Sequence, residues 1–484
     1  MPSDRLSKAR VAIIGAGVSG LRCADVLLSA GATNVKVFEA RDRIGGRVHQ
    51  IRSSGHLVDL GANWIHSTNA NPILQLAHET NTQLFWRPST QATVGSDGKR
   101  RDAKTTATLR ERFWAYIDKA HEYSAQHAAN IDPETSLMEF IKVTATMEIG
   151  QDPDFLRDLL NEAQRYGQFI GNPTSTQSLK FLCMEDEPGG TDAFLANTYR
   201  DILGYMAKQV VEKNLVHFGT EIKHMSMETT GEDSSILVET LQGISETFDE
   251  VVISSNKEKT FTPPLPASIS QAIENLGYGR LEKLYLTFPT AWWLEKPQDP
   301  LATMEDPYPC FTHFHDNAYG KHPPGLPSNV VVISLAHLPD GFAQPTLLFY
   351  IHGPCGTKVV QSVETLEPHS DTYNKAIDGF AKPYYSRLAN YSDHNSSCKP
   401  ISHFCSSWQL DPLAGKGSYT NIQTGSTQAR KDLETLRDGA GLGESTGLWF
   451  VGEHTAPAAY LATVTGAYLS GERVANRILK KWES

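Results

Sequence analysis

The sequence predicts an α/β fold in which a discontinuous Rossmann-like domain carries a second, α+β domain inserted into it. Three observations predict this. A strand, glycine-rich turn, helix and strand open the chain, and a strand, turn and helix close it between Leu448 and Leu479. The long middle stretch follows neither pattern, so the two ends read as parts of one sheet domain.

The elements follow in order. Val11-Ala12-Ile13-Ile14 is a short apolar run, the mark of a strand buried on both faces. Leu21 to Leu28 has helical spacing of apolar residues, and Gly31 stops it. Asn34 to Glu39 is a second strand. From Asn71 to about Pro188 the chain reads mostly as amphipathic helix, for example Leu109 to Ala129. A helix is expected over Arg200 to Lys213, then strands at Ile236 to Thr240 and Glu250 to Ile253, with Gly243 in the turn between them. Pro263, Pro264 and Pro266 punctuate a boundary. Leu281 to about Pro400 alternates strands with Pro- and Gly-rich loops. Leu448 to Val451 is a strand again, and Gly466 to Leu479 a helix.

Composition narrows the function classes. Of 484 residues, 40% are hydrophobic and 20% charged, which excludes a disordered chain. The net charge of −11 argues against a nucleic-acid partner and would concentrate cations near the surface. The six cysteines form no C-x-x-C pair, so zinc ribbons and thioredoxin-like motifs are excluded, and no metal is expected. No apolar run reaches the roughly 18 residues of a membrane helix. No secretory signal or peroxisomal tripeptide is read, so a cytoplasmic protein is expected.

Gly15-Ala16-Gly17-Val18-Ser19-Gly20 is a G-x-G-x-x-G run between strand and helix, with Glu39 at the end of the next strand. That context is what a dinucleotide needs. Gly15 permits the tight turn, Gly17 lets the backbone approach a pyrophosphate, and Gly20 lets helix and strand pack closely. Glu39 would accept hydrogen bonds from a ribose diol. Next comes Ala40-Arg41-Asp42-Arg43-Ile44-Gly45-Gly46-Arg47, two glycines flanked by arginines. Arg41, Gly46 and Arg47 suit a second close approach to phosphates, which a nicotinamide site does not need.

Three motifs carry a family resemblance. They are Glu39 to Arg47, Val58-Asp59-Leu60-Gly61-Ala62-Asn63-Trp64-Ile65-His66, and Trp449-Phe450-Val451-Gly452-Glu453-His454-Thr455 followed by Gly466 to Gly471. With these the chain resembles the flavin-containing amine oxidases, and the second motif looks most like the polyamine oxidase branch. The resemblance implies FAD, oxidation of a small-molecule amine to an imine, and O2 reduced to H2O2. It implies an FAD domain from residues 1–72, 189–280 and 400–484, and a substrate domain from 73–188 and 281–399. Glu39 would hold the adenosine ribose and Arg47 the pyrophosphate. Ile222 would hold the adenine through its main chain. Gly61, Ala62, Asn63 and Trp64 would run past the flavin ring. Gly452 and Glu453 would meet the ribityl–phosphate region, with Thr463 and Val464 near the flavin.

The resemblance also names catalytic candidates. Lys283 lies in a strand-like alternation from Gly279 to Pro289. By spacing alone it is a lysine on a solvated edge, sharing a face with Leu281 and Tyr285. By resemblance it is the lysine that holds a water against the flavin. Tyr419 would form one wall of an aromatic cage. Ser418 stands where monoamine oxidases carry the cysteine that bonds FAD, so the FAD is expected to be non-covalent. Thr463 stands where the second cage residue is usually tyrosine, which leaves room for a bulkier amine. His66 reads either as a tunnel residue or as a structural histidine. Trp292 and Trp293 read as domain packing. Glu185-Asp186-Glu187 is an acidic turn or a cation attractor. The competing functions are an oxidase of other primary amines, such as long-chain amino alcohols or fungal aminopolyol toxins, and a non-catalytic FAD-binding protein.

Overall fold

The computed structural model describes residues 5–86, 91–150, 152–185, 189–230, 233–254, 261–295, 308–316, 318–320 and 328–483. A five-stranded sheet runs in the order Leu448–Phe450, Glu250–Ile253, Arg10–Ile14, Asn34–Phe38, Val216–His217. All four pairings are parallel. The strand at the centre shows why its sequence is uninterruptedly apolar. Val11 and Ile13 pack into one core with helices Val18–Ser29, Arg200–Glu212 and Val464–Glu483, whereas Ala12 and Ile14 pack into another. That second core lies under a four-stranded sheet of Ser245–Phe248, Asp233–Thr240, Ile222–Thr230 and Phe261–Thr262. A strand covered on both faces leaves no position for a polar side chain.

Here one expectation is corrected. Gly243, at φ +84°, does turn the chain, but between Asp233–Thr240 and the strand Ser245–Phe248. Glu250–Ile253 is no hairpin partner; it joins the parallel sheet. The mixed polarity of Ser245 to Phe248 concealed a strand exposed on one face.

A six-stranded sheet forms the second layer, in the order Ser402–Cys405, Glu282–Thr287, Thr346–Ile351, Val330–Ser334, Phe311–Phe314, Gln91–Val94. Its two faces are sorted by alternation. Leu284, Leu286, Leu347 and Phe349 face a core shared with helices Gly353–Val363 and Asp371–Tyr385. Trp292 and Trp293 are wholly buried in that core, against Phe288. Tyr285, Leu348 and Tyr350 face the other way, toward Val58, Leu60 and Trp408.

Residues 71–188 are mostly helix, as expected, with two short exceptions among the described residues. Leu84–Trp86 and Gln91–Val94 are strands, the latter the edge of the six-stranded sheet. Their runs are too short for periodicity to separate from helix. Three helices, Ala103–His127, Leu137–Ile149 and Pro153–Ala163, do follow and pack through Leu109, Phe113, Ile117, Ile141 and Leu159. A buried polar knot ties them to the sheet. Glu162 accepts Arg165 at 2.7 Å through one oxygen and meets His313 at 2.7 Å and His315 at 3.4 Å through the other.

Burial holds His313, His352 and His454 neutral, each pushed down to about 4 from an ordinary 6.5. The unfolded chain takes these protons near pH 6.5, while the folded chain refuses them until about 4. Full stability therefore holds above pH 6.5 and is lost as the pH falls through that window. A melting series from pH 7 to 4.5 should show the Tm dropping by about 5 °C or more. A flat profile would contradict the burial assigned to these rings.

Candidate functional site

A cavity of about 720 Å³ opens where the parallel strands end. Gly15, Glu39 and Ser254 follow their strands directly there, and Gly452 and Glu453 come just past Val451 at the end of Leu448–Phe450. Ligands in open α/β sheets bind at this carboxyl edge. The cleft face of the six-stranded sheet closes the other side through Lys283, Phe311 and Tyr350.

The three glycines of the opening turn are needed for three different reasons. Gly15 sits at φ +101°, with Ser254 filling the space a Cβ would take. A Cβ on Gly20 would strike the Gly15 carbonyl, so helix and strand pack only because it is absent. A Cβ on Gly17 would meet nothing within 4 Å, because Gly17 faces the cavity. The Gly45 N–H donates to the Ala16 carbonyl at 2.8 Å, and Gly17 pairs with Gly45 in a single parallel bridge. Two glycine turns thus lie side by side on the cavity wall. Gly46, at φ +58°, completes the second. The N-cap of Val18–Ser29 is Gly17, which offers no side chain to its first-turn N–H groups. Those donors are left for a ligand.

Glu39 is 6% exposed and accepts the Ala16 and Arg41 N–H groups, both at 2.8 Å. Arg41 lines the cavity and pairs with Asp411 at 2.8 Å. Ile222 lines it at the start of its strand. Arg47 donates to Glu453 at 2.8 Å and to the Ser418 carbonyl at 3.0 Å, beside the Tyr278 ring. Burial opposes its charge, but Tyr278 and Glu453 more than offset this and hold the guanidinium above its ordinary range. Glu453 also accepts Thr420 N–H and Oγ1–H at 3.1 Å and Ala462 N–H at 3.0 Å. Burial would raise its carboxyl, yet Arg47 holds it below the usual value. Gly452 sits at φ +131° and donates to Ser470 at 2.9 Å.

Lys283 lies on an interior strand, between Ser402–Cys405 and Thr346–Ile351, so the solvated edge suggested by its spacing is ruled out. It is 4% exposed and donates to the carbonyls of Gly61 and Asp59. Gly61, Ala62, Asn63 and Trp64 all line the cavity. Trp64 donates to Tyr350 Oη at 2.9 Å, and Tyr350 donates to Asn63 Oδ1 at 2.9 Å. Asn63 Nδ2 is left buried with no partner among the described residues.

Tyr419 lines the cavity and donates to the Gln168 carbonyl at 3.2 Å. Thr463 and Val464 line it too. The Thr463 hydroxyl is already committed, accepting the Gly466 N–H at 2.9 Å and donating to Tyr460 O at 2.8 Å. This threonine therefore opens the last helix as well as facing the cleft. His66 lines the cavity, stacks on Trp64 and pairs with Asp192 at 3.2 Å. Glu185 lines the cavity and accepts Tyr166 at 3.2 Å and Gln177 at 2.8 Å; Asp186 and Glu187 lie outside the described residues. The sequence reading missed Asp59, Tyr278 and Tyr350. Asp59 sat inside a quoted motif, but Tyr350 carries no local signal. It enters only because its strand pairs it with Lys283.

The set fits a dinucleotide. A glycine wall stands open to the cavity, a helix N-terminus is uncapped, an arginine is charged, and a buried amide donor is unused. For a metal, Glu162, His313 and His315 offer atoms within 4.8 Å of one another. Arg165 already occupies that carboxylate at 2.7 Å, and its positive charge opposes a cation. No helix among the described residues is long and apolar enough to cross a membrane.

Comparison with known proteins agrees with this geometry. The human peroxisomal N(1)-acetyl-spermine/spermidine oxidase is 26% identical, over 98% of this chain and 95% of its own. The Arabidopsis thaliana lysine-specific histone demethylase 1 homolog 1 is 24% identical, over 99% of this chain and 53% of its own. A structure of putrescine oxidase bound to putrescine superposes with a TM-score of 0.68 at 20% identity, covering 98% of this chain and 99% of that one. The family described as flavin containing amine oxidoreductase matches residues 18–479. The chain belongs to the flavin-containing amine oxidoreductases, and its cofactor is FAD.

Proposed function

We propose that this enzyme is a polyamine oxidase-like amine oxidase that holds FAD without a covalent bond and passes electrons to O2. The observation that carries the reading is Lys283, an interior lysine fixed by two carbonyls at the edge of the cavity. Bound FAD supplies a two-electron acceptor for the hydride on the carbon next to nitrogen. Glu39, Ile222 and the glycines at 15, 17 and 46 hold its adenosine and phosphates, with Arg41 and Arg47 as the nearby charges. Ser418 offers no thiol for a covalent bond. Tyr419 forms one wall at the reacting end, with Leu281 and Phe311 excluding water. Lys283 holds a water there, and Asp192 and Glu185 draw an ammonium inward. The small side chain at Thr463 favours a second reading, an oxidase of bulkier primary amines such as long-chain amino alcohols.

A peroxide assay over spermine, spermidine, N-acetylated polyamines and long-chain monoamines separates the two readings. Turnover of the polyamines is expected; turnover of the long-chain monoamines alone would favour the second. Lys283→Met should keep its yellow colour but slow reoxidation of the reduced holoenzyme by about tenfold or more. An unchanged rate would remove Lys283 from the site. Gly17→Ala should fold with the wild-type Tm yet bind FAD roughly tenfold more weakly, because its methyl points into open cavity. Gly20→Ala should instead lower the Tm through its clash with Gly15. Equal effects of the two on melting and on visible flavin absorbance would overturn the separate roles assigned to them.

A further inference from the structure

The backbone carbonyl of Asp59 anchors two side chains of the strand Glu282–Thr287. Lys283 donates to it at 3.3 Å and Tyr285 at 2.5 Å. The same residue carries a carboxyl group that is itself buried, with Asp59 3% exposed. Its oxygens accept the Gln50 side-chain amide at 2.7 Å and the Tyr199 N–H at 3.3 Å. Among the described residues no ammonium, guanidinium or imidazole nitrogen lies within 4.0 Å of that carboxylate. A buried carboxyl held only by neutral donors is costly to ionise.

Lys283 is the cation that acts on it. Burial pushes the Asp59 carboxyl up and the Lys283 ammonium down, and the attraction of each for the other opposes both effects. Among the described residues, the remaining titratable groups facing the pair are phenols. Tyr199 comes from the turn before its helix, Tyr285 from the lysine's own strand, and Tyr350 from the neighbouring strand, 5.6 Å from the Lys283 nitrogen. Burial pushes Tyr199 and Tyr285 well up, so neither gives up its proton to the pair.

We propose that Asp59 is a positioning residue coupled electrostatically to Lys283, so that the charge on its carboxyl sets the pH range over which the Lys283 amine is charged at the cleft. The proposal rests on the role given to Lys283 above. When Asp59 is ionised it favours the lysine ammonium. Asp59→Asn keeps a side-chain oxygen for Gln50 and Tyr199 and leaves the anchoring carbonyl in place, but removes the charge. Lys283 then gives up its proton at lower pH. Gln50→Leu acts in the same direction more gently, because losing a donor to the carboxylate leaves Asp59 protonated to higher pH.

The test measures reoxidation by O2 of the dithionite-reduced holoenzyme across pH. The same midpoint is read without turnover from a pH titration of the bound cofactor's visible spectrum. Asp59→Asn should move the wild-type midpoint down by about one unit or more, and Gln50→Leu should move it the same way by less. In Lys283→Met the midpoint should vanish, and adding Asp59→Asn should change nothing further. A midpoint that Lys283→Met abolishes but Asp59→Asn leaves in place would overturn the role of Asp59 alone. A midpoint that survives Lys283→Met would instead overturn the reading of Lys283. If Asp59→Asn yields no folded holoenzyme, Gln50→Leu carries the test, and an unmoved midpoint there counts against the proposal. A purely structural Asp59 would lower the Tm or the FAD content at every pH without shifting either midpoint.

Discussion

The carboxylate of Glu453 is the tie on which the cleft depends. It binds Arg47 from the first segment, Thr420 from the segment before the last strand, and Ala462 from the entry to the final helix. An arginine from the first segment and two stretches hundreds of residues further on therefore meet at one group that is 5% exposed. A carboxylate so far from water is stable only because each oxygen has a donor and one donor is charged. Remove the tie and Arg47 becomes an uncompensated charge, while the second glycine turn loses the arginine that fixes it.

The six-stranded sheet solves a related problem by alternation. Its odd-numbered residues on one strand, Lys283 and Tyr285, reach the cleft side and bond to the Asp59 carbonyl of the first segment. Its even-numbered residues, Leu284 and Leu286, are pure core. A polar floor for chemistry and an apolar anchor for stability come from the same six residues, Glu282–Thr287, and a slip of one position would exchange them.

Much of this was legible in the sequence where the cause is local. The glycines at 15, 17 and 20 announce a turn that no side chain permits, and Val11 to Ile14 announces a strand covered on both faces. The strand Ser245–Phe248 was not legible, because a half-exposed strand of mixed polarity resembles a loop. The strand Gln91–Val94 was not legible either; its partner Phe311–Phe314 lies more than two hundred residues away. At the site, Lys283 on spacing alone looked solvated, and only strand order shows that it is enclosed. Tyr350 gave no signal because its contact with Asn63 depends on tertiary pairing. Thr463 looked like a lost cage residue, and the structure shows a second reason for it, the cap of the last helix.

The strand Leu448–Phe450 has a consequence for how the protein is made. It completes the parallel sheet beside Glu250–Ile253, which is flanked on its other side by Arg10–Ile14. During synthesis the first strands leave the ribosome long before this last one is translated. Until it arrives, the sheet has an unpaired apolar edge and Glu453 is missing from the cleft. The nascent chain cannot close around its cofactor until this strand has been translated. An edge exposed for that long is the segment a chaperone would have to shield.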